Sequence, residues 1–489
     1  MKKIIILFSI QILFSLSVLQ AQKGHEIKVK IIPFKDTTVI LGHHFAGSMY
    51  PDDTIRLDKN SNGVFKGNEP LPQGMYLVFL PNKSYFDVMI GENQHFSVET
   101  DTSDLFRKTK FTKSEENTAF YNYQYFLSDK RKEANEWVEK RKNATTEAEK
   151  KVCTEKLKVL DSEVKAFIEK SINTNPGSMF AAFAKATKEV EVPDPPRDTH
   201  GNIIDSAFQY KYYRSHYFDN FDIADVRLLR TPLYENKVKT YIEKVVPQIP
   251  DSIYPEVDML IAKSRTSPEL FRYMLVTLFN LYGQSQIMGF DAIALYIGEK
   301  YYIKEATWAD TAYIKKLKDQ IAIRTPLNIG KVAPDIRLVN VPNQHFIEAK
   351  DSVQLKKNPY IGNFFNLSEV KGKFIVLAFW ESDCGHCKKT IPELHKVYQK
   401  IKDKGLVVVS VHMLGGEEGK EKWVNFVNEH KLTDWINAWN PYDYAYKKSF
   451  DITSTPVIFV LDNDHKIIAK RIGTEQIEDF ITHYEKQKK

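Results

Sequence analysis

Two of the chain's three cysteines stand two residues apart, in Trp380-Glu381-Ser382-Asp383-Cys384-Gly385-His386-Cys387-Lys388-Lys389. Sulfurs at this spacing suit three kinds of chemistry: metal binding, covalent stapling or two-electron exchange. Zinc takes about four nitrogen or sulfur ligands. A second cysteine pair is absent, and His386 lies between the two sulfurs, where it is poorly placed to complete a site. A structural disulfide closing so short a loop would remove little chain entropy and stabilise little. Exchange chemistry draws more support from the flanks. The apolar run "KFIVLAFW" precedes the pair and the amphipathic stretch "GHCKKTIPELHKVYQKIKDK" follows it. Strand followed by helix puts both sulfurs at a helix start, where unpaired amides and the positive end of the dipole favour thiolate. In such motifs a thiol pKa falls from ~8.5 to roughly 3.5–7.5. Cys384, at the tip of the turn, is the expected attacking thiol. Cys387, one turn deeper, is expected to close the disulfide and resolve a mixed one.

Neighbouring residues tune that chemistry in opposite directions. His386 can hold positive charge beside a thiolate, which favours the reduced form and makes the disulfide a better oxidant. Asp383 puts a negative charge next to Cys384 and should raise its pKa. Gly385, the other central residue, adds no charge. Glu381 is the nearest candidate proton shuttle, although it also suits a solvated surface.

The positioning elements after Asn328 read as an ordered set. "GKVAPDIRLVNV" and "QHFIEA" look like a paired-strand lead-in. "KFIVLAFW", the cysteine helix, "LVVVSVHM", the helix "EGKEKWVNFVNEH", the short helix "DYAYKKSF", the hairpin "TPVIFVLD" and "KIIAKRIG", and the helix "EQIEDFITHYEKQ" follow. Pro456, after Thr455, stands at the start of an apolar strand and suits a cis peptide there.

Phe379-Trp380, the Cys384/Cys387 pair and Thr455-Pro456, in that order, resemble the thioredoxin superfamily. "IGKVAPDIRLVN" and "LSEVKGKFIVLAFW" resemble more closely its exported TlpA/ResA-like branch. The resemblance covers residues 329–489 and implies a C-terminal α/β thioredoxin fold. It implies that the Pro456 loop faces the redox-active disulfide Cys384–Cys387, and that Trp380 and Thr455 contact substrate. No other cofactor and no metal are implied. The implied partners are cysteine-containing protein clients, including apocytochromes, with an upstream thiol donor or acceptor. The dipeptide in "CGHC" resembles that of protein disulfide isomerases. Two family proton shuttles are missing: Ala378 stands where thioredoxins bury an acid, and Thr390 where some ResA-like proteins carry a glutamate.

The rest of the chain sets the context. A length of 489 residues implies two to four domains. Residues 27–102 carry short apolar runs broken by Gly, Pro, Asn and Asp, which predict a β-sandwich-like module with a hairpin turn at Asn62-Gly63. Residues 103–327 take a helical period and predict an all-α module, with Ser114 as one helix cap and a plausible linker after Pro326. The chain is thus expected to be multidomain: all-β, then all-α, then α/β. Lys2-Lys3, an apolar stretch to Leu19 and the small Ala21 read as a secretory signal peptide over 1–21. The expected location is the periplasm or envelope of a Gram-negative bacterium, with no membrane span after cleavage. A formal charge of +6, two units of it on Lys2 and Lys3, is too weak to suggest nucleic acid.

Other constellations are weaker. Adjacent His43 and His44 point to opposite faces of a strand, against a joint metal site with Asp52 and Asp53. Cys153, on a charged helix, reads as an unpaired thiol. The expected function is an exported thiol–disulfide oxidoreductase acting on envelope proteins. The alternative is an envelope binding or assembly protein that works through its β and helical modules, with a minor or vestigial redox domain.

Overall fold

Every second residue of His25–Ile32 is apolar from Ile27 onward, and the segment forms a strand, β1, that buries Ile27, Val29 and Ile31. The computed structural model describes residues 24–348, 363–440 and 442–487; the expected signal segment, 1–21, lies outside the described residues. The chain divides into two compact units, Met1–Pro247 with Lys263–Leu270, and Gln248–Ala262 with Phe271–Lys489.

In the first unit β1 is followed by β2 (Thr38–Phe45), β3 (Ser48–Arg56), β4 (Asn62–Gly67), β5 (Gly74–Phe79), β6 (Tyr85–Ile90), β7 (His95–Asp101) and β8 (Lys110–Thr112). They form two four-stranded sheets, β4-β1-β7-β8 and β3-β2-β5-β6. Val39, Leu41, Phe65, Tyr76, Val78 and Phe96 fill a common core with the buried side chains of β1. Asn62-Gly63 is not the expected turn. Both residues lie in β4, paired with Lys30 and Val29. The turn comes earlier, at Asp58–Ser61, where the Asp58 carboxylate accepts from the amides of Asn60 and Asn62 and Ser61 takes φ +69°. A Cβ on Gly63 would lie 2.7 Å from the terminal methyl of Ile55, which would have to shift to admit it.

Two long helices follow, α1 (Glu115–Asn143) and α2 (Glu147–Thr174). Ser114 caps α1 by accepting from the Asn117 amide, and Thr146 with Glu149 forms a capping box on α2. Cys153 is a free, buried thiol on α2.

The second unit contains the helices α3 (Asp291–Ile297) and α4 (Thr311–Arg324), then a seven-stranded sheet. Its strands are β9 (Arg337–Val341), β10 (Phe364–Asn366), β11 (Phe374–Trp380), β12 (Leu406–His412), β13 (Ile436–Trp439), β14 (Val457–Asp462) and β15 (Ile467–Lys470). The spatial order is β10-β9-β13-β12-β11-β14-β15. All seven residues of β11 are buried, as a strand covered on both faces requires. Phe374, Val376, Ala378 and Trp380 enter one core, with Ile391, Leu394, Trp423, Ile477 and Ile481. Ile375, Leu377 and Phe379 enter the other, with Val409, Val411, Tyr446 and Phe450. The first core lies under α6 (Cys387–Ile401), α7 (Gly416–Glu429) and α9 (Thr474–Gln487); the second includes Tyr446 of the short α8 (Ala445–Ser449).

Two local readings are corrected. "QHFIEA" is not a strand: Asn343–Glu348 forms a short helix, α5, after Pro342. It buries Phe346 against Trp423, with ring centroids 5.1 Å apart. β13 is a strand that no apolar run announces, because Asn437 interrupts it. That asparagine is fully buried and donates to the carbonyl of Leu432, which meets its polarity inside the sheet. The stretch after Pro326 is also not a free linker. Leu327 is buried in the second core, and the Gly330 amide and Lys331 carbonyl pair with the backbone of Ile467.

Candidate redox site

β11 ends at Trp380 and α6 begins at Cys387, so the six intervening residues make the bend that carries the site. The Cys384 amide donates to the carbonyl of Glu381, and the Lys388 amide donates to the carbonyl of Cys384. These bonds fold the loop back over the end of the strand. Cys384 is partly exposed, whereas Cys387 is fully buried in the core under α6. Both are free thiols.

The two sulfurs have different electrostatic surroundings. Burial opposes the Cys384 thiolate. Hydrogen bonds from the Cys387 thiol, from the Thr455 side chain and from the backbone amides of Cys387 and His386 outweigh burial and lower its pKa. The Cys387 amide lies 3.3 Å from the Cys384 sulfur. Burial pushes the Cys387 thiol up to about 12, and its hydrogen bond to Cys384 adds to that. The Glu381 backbone amide and Thr455 pull the other way. One sulfur is therefore prepared to ionise and the other is held as a thiol.

The remaining expected residues fall in three places. Thr455 faces the attacking sulfur: its carbonyl oxygen lies 3.3 Å from the Cys384 thiol, which donates to it. The Thr455–Pro456 peptide bond is cis. Pro456 lines a cavity of about 310 Å³ with Thr390, Glu393, Ser454, Arg471 and Thr474. Gly385 and His386 are exposed at the tip of the bend, and a Cβ at Gly385 would meet nothing within 4 Å. Glu381 offers its backbone carbonyl to the Cys384 amide, while its side chain is half-buried.

Trp380 departs from expectation. It is fully buried, and its indole Nε1 donates to the Ser410 hydroxyl at 2.8 Å. No substrate can touch this ring without unfolding the end of the sheet, so the substrate-contact reading is corrected to a core one. The residue is large and apolar with one donor, and Ser410 on the neighbouring strand satisfies that donor.

Two residues near the cysteines went unread. Lys422 on α7 pairs with the Asp383 carboxylate at 2.9 Å and also with Glu418. Hence Asp383 does not face Cys384 as an unopposed negative charge. His412, at the end of β12, lies opposite Trp380 in the sheet. Its Nε2 lies 3.3 Å from the Ser382 amide and 3.1 Å from the Ser382 hydroxyl. The legible signal was positional: Leu406, Val408, Ser410 and His412 alternate onto one face, and a polar pair at the carboxyl end of a buried parallel strand points toward the site. His43, set aside as a metal ligand, instead shares its Nδ1 with both carboxylate oxygens of Asp52 at 2.8–2.9 Å.

Comparison with known proteins agrees with this geometry. Residues 372–467 match a family described as Thioredoxin-like, and residues 139–323 match a domain of unknown function (DUF5106). The thiol-disulfide oxidoreductase ResA of Bacillus cereus is 29% identical over 154 residues, covering 28% of this chain and 83% of that relative. The sporulation thiol-disulfide oxidoreductase A of Bacillus subtilis is 26% identical over 113 residues, covering 22% and 67%. A solved domain of a possible thiol-disulfide isomerase from Cytophaga hutchinsonii is 32% identical. It covers 33% of this chain and 96% of its own, with a TM-score of 0.27. The chain belongs to the thioredoxin superfamily, in its TlpA/ResA-like branch, and is a thiol–disulfide oxidoreductase.

Proposed function

We propose that this protein is exported and exchanges disulfides with cysteine-containing envelope proteins through Cys384-Gly385-His386-Cys387. The observation that carries the reading is the division between the sulfurs. Cys384 is accessible with a lowered pKa, while Cys387 is buried with its pKa pushed up to about 12. A client disulfide is attacked by the Cys384 thiolate, which forms a mixed disulfide and releases one client thiolate. Cys387 then resolves it. The reverse sequence oxidises a client dithiol, and an upstream thiol partner resets the site. The redox-active disulfide is the only cofactor in this scheme.

The Thr455 carbonyl beside Cys384 is placed to accept from the backbone of a client strand. The cavity next to Pro456 offers room for a client side chain adjoining the cysteine. Export rests on the basic, then apolar, N-terminal segment of the sequence. Among the described residues, no helix is long and apolar enough to cross a membrane.

The test is trapping. Cys387→Ser, produced with its own N-terminal segment, should collect in the envelope fraction and accumulate mixed disulfides on Cys384. Cys384→Ser should accumulate none. A trap variant that stays empty in an oxidising envelope, or remains in the cytoplasm, sinks the proposal.

A further inference from the structure

The last backbone rung between β11 and β12 is the Met413 amide, which donates to the Trp380 carbonyl at 2.9 Å. Beyond it a side chain takes over. Nε2 of His412 accepts from the Ser382 amide at 3.3 Å, and the Ser382 hydroxyl lies 3.1 Å from the same nitrogen. An amide only donates, so Nε2 is the unprotonated nitrogen and the ring proton sits on Nδ1. Nδ1 has no hydrogen-bond partner among the described residues. His412 is 1% exposed, stacked on Trp423 at 5.0 Å and edge-on to Trp380 at 5.1 Å. Phenylalanine would fill that space without an unpaired polar atom. What the imidazole adds is the acceptor toward Ser382.

That acceptor reaches the attacking cysteine through one rigid peptide. The Ser382 amide and the Glu381 carbonyl share a plane and point in opposite directions from it. His412 holds the amide end. The carbonyl end accepts from the Cys384 amide at 3.2 Å, which closes the turn Glu381–Cys384. On the other side of Cys384, its own carbonyl accepts from the Lys388 amide at 3.1 Å. The sulfur so delivered lies 3.3 Å from the Thr455 carbonyl and 3.3 Å from the Cys387 amide. Removing the acceptor frees the Glu381–Ser382 peptide to turn about its flanking bonds, which loosens the turn and lets the sulfur drift from both contacts. We propose that His412 is a positioning residue for the first attack: it clamps the Glu381–Ser382 peptide, and through it the turn that presents the sulfur of Cys384. The inference rests on the reading of Cys384 as the attacking thiol.

In that attack the Cys384 thiol gives its proton to solvent, and its thiolate attacks one sulfur of a client disulfide. The bond from Cys384 to that sulfur forms as the client S–S bond breaks. The other client sulfur leaves as a thiolate with the electron pair of the broken bond. The Cys387 amide stabilises the attacking thiolate only while the turn holds the sulfur at the start of α6. Asp383 and Lys422, the charged pair beside the turn, face each other and are untouched by a change at position 412. Cys387 takes its place from the core under α6. The reactivity of Cys384 should therefore follow His412, and the protection of Cys387 should not.

Alkylation of the reduced full chain across a range of pH, with mass spectrometry of the labelled cysteine, reads the positioning. His412→Phe keeps a ring between the indoles and removes the acceptor. His412→Gln gives up the ring and sets an amide oxygen near the place of Nε2. In His412→Phe the inflection of Cys384 labelling should rise by about one pH unit, and labelling below it should be about tenfold slower, the effect of losing one buried hydrogen bond. In His412→Gln the inflection should stay within about 0.3 unit of wild type, because the acceptor is kept. The glutamine variant should nevertheless be the less stable of the two, since it leaves part of the ring's volume empty. A packing role alone predicts the reverse order of reactivity, with His412→Phe intact and His412→Gln impaired. An inflection unmoved in His412→Phe, or moved equally in both, overturns the proposal. If His412→Phe does not fold, His412→Gln decides alone: an inflection near wild type supports the acceptor role, and a tenfold loss of reactivity overturns it. A wild-type chain in which Cys384 labels no faster than Cys387 would instead refute the reading of Cys384 as the attacking thiol, and this inference with it.

Discussion

The Nζ of Lys422 lies 2.9 Å from the carboxylate of Asp383, one residue before the attacking Cys384. This pairing changes the balance of charges around the sulfur. Asp383 alone would oppose the thiolate; paired, it contributes little. Both side chains are about half exposed, so the effect is modest and sensitive to salt. Lys422→Gln should slow alkylation of Cys384 at neutral pH, by no more than about fivefold at low salt and less at high salt. Asp383→Asn should not slow it. An acceleration in Lys422→Gln would show that the carboxylate does not act on this sulfur.

The two thiols should label unequally. Cys384, with its lowered pKa, should alkylate with a rate that rises with pH and levels off below the range of an ordinary thiol. Cys387, pushed up to about 12, has a thiolate fraction at pH 7 of about one in 10⁵. Mass spectrometry of the folded, reduced chain after brief alkylation should find the label on Cys384 alone. Equal modification of both would contradict the burial of Cys387.

The C-terminal sheet should depend on residues before it. Lys470 on β15 has a side chain only 8% exposed, and it pairs with Asp291 on α3 at 2.8 Å. Arg324 on α4 pairs with Asp451, and Leu327 is part of the second core. A fragment beginning at Ile329 loses all three. It should bind and reduce substrates but melt well below the full chain. Asp291→Ala in the full chain, which strands a buried ammonium, should cost about 1–3 kcal/mol. Chemical denaturation measures both. A fragment as stable as the chain's own C-terminal transition would show that these contacts carry no weight.

How much of this was legible depended on whether a signal was local. The cysteine spacing and the uninterrupted apolar run of β11 announced the strand, the bend and the helix. The same run misled at Trp380: where both faces of a strand are buried, no alternation distinguishes a core indole from an exposed one. β13 hid behind Asn437, whose polarity is met by the Leu432 carbonyl, the Trp435 indole and the Asn343 side chain once the sheet has formed. Asn62-Gly63 has the composition of a turn but lies within β4, paired with Lys30 and Val29. Lys422 and His412 were illegible as partners because the sheet register and the placement of α7 bring them to Asp383 and Ser382. Nothing in the spacing of 30 or 39 residues encodes those meetings.

His386 should set the redox poise. It is exposed directly before α6, between the sulfurs in sequence, and the main opposing charge nearby is engaged by Lys422. The potential is expected at about −230 to −180 mV, between glutaredoxins and disulfide isomerase. His386→Pro should make the disulfide harder to reduce by about 30 mV or more, roughly the effect of one charged contact. Equilibration with glutathione buffers reads both. A wild-type potential at or below thioredoxin's, unmoved by the substitution, refutes the tuning role.

Acid should expose the cost of burying His412. Burial lowers its pKa from 6.5 to about 3. Between those values the unfolded chain binds a proton that the folded chain refuses. The stability at stake is therefore intact above pH 6.5 and declines as pH falls toward 3. Between pH 8 and pH 5 the loss amounts to about 2 kcal/mol. Asp87, with its pKa raised by burial to about 6, runs the other way and loses stability as pH rises through that value. It is present in wild type and His412→Phe alike, so a comparison cancels it. The stability of His412→Phe relative to wild type should improve by about 2 kcal/mol from pH 8 to pH 5. Urea unfolding at the two pH values, followed by tryptophan fluorescence because Trp380 and Trp423 flank the site, measures it. Parallel pH dependence in the two proteins would mean that His412 takes up its proton in the folded state, and a protonated imidazole could not accept from Ser382.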